Sequence, residues 1–198
     1  KGDLSGLNQA GSTNPKIEDR AKQLNKPFTP SGFPVERYSL SGKTGAQMRA
    51  TVTEFGPVLL AKILELNDTQ TGVLAVIFKY ADDNKMPIVD LNDLKKLLGY
   101  LSEGAGAAEI KSSYGSISTA TSSTILRKIV AIEQQGLGGM FGETSYDIED
   151  LFNRVDGKGV ISLLNIADVQ NQPVLYSTFL LSLLAEIYQA MPEAGDLD

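Results

Sequence analysis

The sequence predicts a mainly α-helical fold with a small β component, and three observations support this. Between residues 57 and 135, five segments with apolar residues at helical spacing follow one another with short connections, as in a helical bundle. Residues 35–40 and 47–53 alternate between polar and apolar side chains, as strands do. The apolar run 159–164 (GVISLL) precedes a strongly apolar segment from Pro173 to Met191, which predicts a buried strand and then a long helix.

The N-terminal quarter is predicted to contain one short helix and a β-hairpin. Residues 1–14 form a loop, and Asn14-Pro15 marks the start of a helix over 16–24. Residues 26–34 contain three prolines and should be extended and irregular. The segment 41–45 (SGKTG) then joins the two alternating strands, which favours a hairpin.

The tripeptide Gly42-Lys43-Thr44 inside that turn resembles the end of a phosphate-binding loop. Such a loop requires a glycine five positions before Gly42, where its backbone amides wrap the phosphates, and Arg37 stands there instead. It also requires a following helix, whereas residues 47–53 alternate like a strand. The sequence therefore predicts a simple turn at this point.

The helices of the predicted bundle have clear boundary signals. They are expected over 57–66, 69–82, 91–102, 105–114 and 118–135. Asn67-Asp68 and Asp90 are predicted to cap the second and third of them, and Gly136 to end the last. Residues 136–142 (GLGGMFG) look like a dinucleotide-binding loop, but they end a helix rather than follow a strand, which indicates a helix cap and loop.

The C-terminal part is predicted to return to β structure. Residues 147–154 favour a brief helix whose acids suit its first turn, and residues 156–159 (DGKG) favour a tight turn. Pro173 suits the first turn of the last helix. The apolar stripe of that helix, which predicts deep burial, comprises Val174, Leu175, Phe179, Leu180, Leu183, Leu184, Ile187, Tyr188 and Met191.

A strand followed by an apolar helix is half of a βαβ unit, and no second parallel strand follows residue 191. We therefore expect the chain to be a fragment of a larger protein. The strand 160–164 should then lack sheet neighbours and the last helix part of its cover, which would favour contacts between chains.

Composition excludes several classes of function. The chain has no Cys and no His, which removes thiol nucleophiles, Ser-His-acid triads and zinc fingers. Its 24 acidic and 18 basic residues give a net charge of −6, and the pairs Lys95-Lys96 and Arg127-Lys128 are isolated and expected to be solvated, so no strong nucleic-acid site is predicted. Without a membrane-length apolar run or a targeting segment, we expect a soluble cytoplasmic protein.

Several short segments carry a resemblance to a known family. They are 1–7 (KGDLSGL), 14–18 (NPKIE), 66–74 (LNDTQTGVL), 114–115 (YG), 141–143 (FGE), 159–161 (GVI) and 175–181 (LYSTFLL). In this order they resemble the bacterial HerA-like ATPases, relatives of the HerA and FtsK ring translocases, over nearly the whole chain.

This resemblance implies a RecA-like α/β core of a P-loop ATPase with a helical insertion. Residues 1–55 and 137–198 would belong to the core and residues 56–136 to the insertion. In that family the phosphate-binding loop lies before the segment like 1–7, and the acidic strand follows the segment like 195–198. The chain would thus be the inactive part between the two nucleotide-binding motifs, with no catalytic residue and no metal ligand of its own.

The resemblance also implies the cofactors and partners of the parent protein. These are ATP and Mg²⁺, a hexameric ring of identical subunits, and DNA that the ring translocates. Lys1, Gly2 and Asp3 would lie at the periphery of the nucleotide site, because they follow a core strand; the alternative is that they form an exposed loop. Arg127 and Arg154 are candidates for an arginine acting on a neighbouring subunit, and neither can be assigned.

A second hypothesis is a self-contained helical interaction module without an enzymatic parent. The helical region 57–135 and the acidic charge are compatible with it. The coding sequence on either side of the chain distinguishes the two hypotheses. Direct DNA binding by this chain has little support, since it would require clustered lysines and arginines.

Overall fold

The structure is a computed structural model that describes residues 2–167 and 169–191. Its described part is mainly helical with short strands, which confirms the predicted fold class. The α-helices are α1 (Pro15–Gln23), α2 (Val52–Ile63), α3 (Asp68–Asp83), α4 (Leu91–Ser102), α5 (Ala107–Ser113), α6 (Thr119–Gln134) and α7 (Pro173–Ala190). The strands are β1 (Val35–Ser39), β2 (Ala46–Gln47), β3 (Arg154–Val155), β4 (Lys158–Gly159) and β5 (Ile161–Asn165).

A small parallel sheet joins the two ends of the described chain. Its strand order is β2-β1-β5, and β1 pairs with β5 from Val35↔Ile161 to Ser39↔Asn165. The predicted strand at 159–164 is confirmed, shifted by about one residue. Within the described residues β5 hydrogen-bonds to β1 alone, so its other edge is open, as expected.

The predicted hairpin between residues 35–40 and 47–53 is wrong. The two strands are parallel, with Tyr38 opposite Ala46 and Ser39 opposite Gln47. The return of the chain to β1 in this parallel arrangement depends on Gly45, since a Cβ added there would lie only 2.4 Å from the carbonyl oxygen of Arg37. After Gln47 the chain leaves the sheet, and the rest of the predicted second strand becomes the approach to α2.

The helix boundaries follow the capping signals of the sequence. Asn67 caps α3 in a capping box with Gln70, Asp90 caps α4 through the amide of Asp93, and Ser118 caps α6. The first bundle helix differs, because it begins at Val52 rather than at 57. Thr51 and Glu54 form its capping box, and the chain continues past a kink at Gly56, whose φ is +68°.

The segment between α6 and α7 contains mostly short elements. Gly136 has φ +76° and ends α6 as predicted. The brief helix predicted over 147–154 is a 3₁₀ helix over Ile148–Phe152. Asp156 and Gly157, with φ of +52° and +76°, form the two-residue turn that joins β3 to β4, which confirms the tight turn.

The helices share one apolar core with the sheet. α2 packs against α3 and α7, while α6 packs against α3 and α4. Three aromatic rings join these parts: Phe55 of α2 lies 5.2 Å from Phe141 and 6.4 Å from Phe179 of α7, between ring centroids. All three side chains are buried, so the bundle, the loop after α6 and the last helix meet at Phe55.

The deep burial predicted for the whole stripe of α7 is wrong. Leu175 and Phe179 are buried, but Leu184 is 61 % exposed and Tyr188 is 84 % exposed. Val174 and Met191 are exposed as well. Helical periodicity identified residues that share a face, and α2 covers only part of that face. The expectation that α7 lacks part of its cover is confirmed, while contacts between chains at this surface stay a prediction.

The aromatic junction provides a test of the packing. We expect Phe179→Ala to lower the free energy of unfolding by about 3–5 kcal/mol, because it empties a buried ring site. Leu181→Ala, on the same helix but 52 % exposed, should cost less than about 1 kcal/mol. Urea unfolding of both variants measures the difference, and equal losses would contradict the assigned faces of α7.

The close approach of Gly45 to the backbone of Arg37 provides a second test. We expect Gly45→Ala to lower the free energy of unfolding by about 1–3 kcal/mol, because its methyl group would overlap the Arg37 carbonyl. Gly11→Ala is the matched control, since nothing lies within 4 Å of a Cβ there. A Gly45→Ala protein as stable as the Gly11→Ala protein would argue against the parallel pairing of β1 and β2.

Candidate functional site

The main candidate site is a cleft of about 500 Å³ at the carboxyl end of the parallel sheet. It lies beside β1 and β5, and both strands run toward it. Its lining residues come from four parts of the chain: Leu4, Ser5, Arg37, Thr44, Leu163, Leu164, Asn165, Ile166, Ala167 and Gln170. Ligands of open parallel sheets bind at this edge, because the loops that follow the strands converge there.

Arg37 connects the cleft to the N-terminal segment. Its Nη2 donates a hydrogen bond of 2.6 Å to the carbonyl oxygen of Ser5. The amide of Phe33 also donates to the carbonyl oxygen of Leu7, at 3.0 Å. The 3₁₀ helix Gly2–Gly6 is therefore held against β1 and the chain that leads into it.

The other side of the cleft is formed by the turn after β5. Asn165 Oδ1 accepts a hydrogen bond of 2.9 Å from the amide of Ala167, which bends the chain at the end of the strand. Gln170 Nε2 donates to the carbonyl oxygen of Ala167 at 2.7 Å. These contacts fix the amide groups of Asn165 and Gln170, which line the cleft together with Arg37.

The predicted site residues lie near this cleft as far as the structure describes them. Lys1 lies outside the described residues. The backbone of Gly2 and Asp3 belongs to the 3₁₀ helix Gly2–Gly6, whose next residues, Leu4 and Ser5, line the cleft. Their role at a nucleotide stays a prediction.

Sequence reasoning missed the remaining polar residues of the cleft. Arg37 was used only to exclude a phosphate-binding loop, and Thr44, Asn165 and Gln170 were not selected. Each of these residues lies on a strand or follows one. Their proximity depends on the pairing of β1 with β5, and no local sequence pattern predicts that pairing. A prediction that the two strands are parallel neighbours would have found them.

The loop 41–45 does not have the geometry of a phosphate-binding loop. The amide of Gly42 donates to Ser39 Oγ at 2.9 Å, and the amide of Lys43 donates to Ser41 Oγ at 3.2 Å. Serine oxygens of the protein thus already occupy two of the amides that would bind phosphate. The loop leads into β2 and not into a helix, which agrees with the interpretation from the sequence.

The isolated basic pairs have structural contacts rather than purely solvated side chains. Lys95 forms an ion pair with Glu133 at 2.8 Å, half-buried between α4 and α6. Lys128 Nζ donates to the carbonyl oxygens of Leu64 and Glu65, at 3.2 and 2.5 Å, where α2 ends. The expectation of solvated pairs is therefore wrong for these two lysines.

Neither a metal site nor a membrane span is found in the described part of the chain. No group of three or more acidic side chains lies close enough to hold a metal ion within residues 2–167 and 169–191. None of the cleft-lining side chains that the structure describes is a carboxylate. Among the helices of the described residues, none combines the length and apolar character needed to cross a bilayer.

The opposite face of β1 carries a tyrosine with a shifted pKa. Burial raises the pKa of Tyr38 to about 12, and the carboxylate of Glu36, which accepts a hydrogen bond from its hydroxyl, adds to this rise. Burial also raises the pKa of Tyr80 to about 12, with a further contribution from Glu109, and raises the pKa of Tyr146 beside Glu186. All three favour the neutral phenol in the folded protein.

Comparison with known protein families identifies a relationship for this chain. The model of the family described as "Helicase HerA-like C-terminal" matches residues 1–198, the whole chain. No curated protein and no solved structure matches the chain.

The tyrosine pKa shifts predict loss of stability at alkaline pH. An unfolded tyrosine has a pKa of about 10, so between about pH 10 and 12 the folded protein keeps a proton that the unfolded chain loses. The free energy of unfolding therefore falls as the pH rises through this window. Tyr38→Phe should lose less stability than the parent protein between about pH 10 and 12 in urea unfolding, while Tyr80, Tyr114 and Tyr146, whose pKa values are also raised, contribute to the loss in both proteins. An identical loss in both proteins would show that Tyr38 is not responsible.

Proposed function

The chain belongs to the HerA-like helicase C-terminal family, and from this premise we propose that it is part of an ATP-driven DNA translocase. The observation that carries the proposal is the family match across residues 1–198. The parallel sheet with a cleft at its carboxyl edge supports it, because nucleotide-binding α/β folds use this edge. The protein would work as a ring of identical subunits, hexameric by resemblance to the family, in the cytoplasm.

We propose that the cleft is the periphery of the nucleotide site. Arg37 offers a guanidinium, a group suited to phosphate, and Thr44 and Asn165 offer neutral hydrogen-bonding groups. Lys1, Gly2 and Asp3 would contribute from the N-terminal side, where Arg37 holds the following residues in place. These groups suit the edge of a nucleotide rather than the transferred phosphate.

The described lining of the cleft offers no ligand for a magnesium ion. Magnesium in nucleotide sites is held by one or two carboxylates together with phosphate oxygens, and none of the cleft-lining side chains that the structure describes is a carboxylate. We therefore assign no metal ligand among its residues. The lysine and the acids that act on ATP and Mg²⁺ are proposed to lie outside residues 1–198, and this chain alone is proposed to be inactive.

No arginine of the chain is assigned to a neighbouring active site. Arg127 donates to Thr124 Oγ1 at 2.9 Å on its own helix, and Arg154 lies exposed on β3. DNA contact is likewise proposed for the ring and is not placed on this chain. The contribution of the chain is then a framework that carries the cleft and connects it to a helical bundle.

ATP hydrolysis tests this proposal. We expect no turnover above background from residues 1–198, and turnover from a longer protein that carries the flanking motifs. In the longer protein, Arg37→Ala should raise the KM for ATP by about tenfold, because one charged contact of about 1.4 kcal/mol is lost. Arg20→Ala is the matched control, because Arg20 is exposed like Arg37 but does not line the cleft, and it should leave KM unchanged.

Two results would contradict the proposal at different points. Turnover by residues 1–198 alone would show that the chain has catalytic residues of its own. An unchanged KM in the Arg37→Ala protein would show that the cleft is not part of the nucleotide site, and it would not affect the family assignment.

A further inference from the structure

We propose that the groove beside α1 binds an acidic amphipathic helix of a partner protein. The groove has a volume of about 580 Å³, within the range of about 300–1,000 Å³ found for binding pockets. It lies between α1 and the chain that returns across it. This proposal is independent of the proposed ATPase function.

The apolar floor of the groove is not part of the protein core. Ile17, Ala21 and Leu24 recur at helical spacing along one face of α1, yet no residue of α1 is buried. Phe28 extends the floor, and Leu24 and Phe28 are 51 % and 52 % exposed. An amphipathic helix normally buries such a stripe, so this one has a free apolar face.

Local hydrogen bonds hold the groove open without a partner. Asn14 caps the start of α1 by accepting a hydrogen bond from the amide of Ile17, at 3.1 Å. At the other end, Asn25 has φ +49°, and the amide of Lys26 donates to the carbonyl oxygen of Ala21 at 3.0 Å. This reversal brings Lys26, Pro27 and Phe28 back across the helix face, so a ligand meets a preformed surface.

The rim of the groove is positively charged. Lys16, Arg20 and Lys26 line it, whereas Glu18 and Asp19 of α1 do not. None of the three cations forms an ion pair within the described residues, and Arg20 donates only to Gln23 Oε1, at 3.3 Å. Three unpaired cations around an apolar floor complement a ligand whose carboxylates flank an apolar stripe.

An amphipathic helix with apolar residues three and four positions apart and glutamates beside them presents an apolar stripe flanked by carboxylates. Nucleic acid fits less well, because phosphate-dominated binding uses about 6–10 cationic contacts and base stacking uses several aromatic rings. Here three cations and one ring are available.

Fluorescence anisotropy with a defined probe tests the inference. The probe is a short labelled peptide with leucines and phenylalanine at helical spacing among glutamates, compared with a scrambled peptide of the same composition and a peptide with lysines in place of the glutamates. We expect the first peptide to bind at least about tenfold more tightly than either control, and more weakly as salt is added.

Matched variants of the protein locate the site. Arg20→Glu and Phe28→Ser should each weaken binding by about tenfold or more, through charge reversal and loss of apolar contact. Lys22→Glu reverses a charge on the same helix outside the groove lining and should change binding by less than about twofold. Thermal unfolding should be similar in all variants, because α1 buries no residue.

Several outcomes would overturn the inference. They are no binding of the glutamate peptide, equal binding of the scrambled peptide, or an equal effect of Lys22→Glu and Arg20→Glu. Tighter binding of a single-stranded oligonucleotide or of phosphatidylserine vesicles, lost in the Arg20→Glu protein, would instead assign the groove to nucleic acid or to membrane.

Discussion

The rest of the structure depends on the parallel pairing of β1 with β5. The register places Arg37 opposite Leu163, so the whole helical region from α2 to α6 lies in the chain between two neighbouring strands. Such a long excursion is thermodynamically tolerable, because the entropy cost of closing a loop grows only slowly with its length. The pairing brings the ends of both strands to one edge, and the cleft exists only because of this proximity. A two-residue hairpin turn joins only antiparallel strands, so β1 and β5 cannot be connected by one.

The helices are not an independent appendage of that sheet. Phe55 lies in the first turn of α2 and contacts both Phe141 and Phe179, so one ring position couples the bundle, the loop after α6 and α7. Ala50 strengthens this connection, because its amide donates to the carbonyl oxygen of Met140 and its carbonyl accepts from the amide of Gly142. The path from the sheet into the bundle is thus fixed by backbone hydrogen bonds and by buried rings.

The sequence predicts those features of the structure that depend on contacts within a few residues, and it misses those that depend on distant contacts. Asn67, Asp90 and Gly136 mark helix ends through contacts within a few residues, and these boundaries were predicted correctly. The direction of β2 depends on the approach of Gly45 to the backbone of Arg37, which alternation of side chains does not encode. The cover of α7 depends on which elements pack beside it, so periodicity predicted its apolar face and not its burial. The cleft residues were missed for the same reason, because they converge only once β1 and β5 are paired.

The two candidate surfaces of the chain therefore differ in what holds them together. The cleft requires strands more than a hundred residues apart to stay paired, from Arg37↔Leu163 to Ser39↔Asn165. The groove beside α1 requires only the cap at Asn14 and the reversal at Asn25, all within one short segment. Because no residue of α1 is buried, changes in the groove should leave the core unaffected, whereas changes at Gly45 or Phe179 act on the sheet and the core directly. A partner seated on α1 would reach the cleft only through the segment that leads from Phe28 into β1, so the two surfaces are expected to act largely independently.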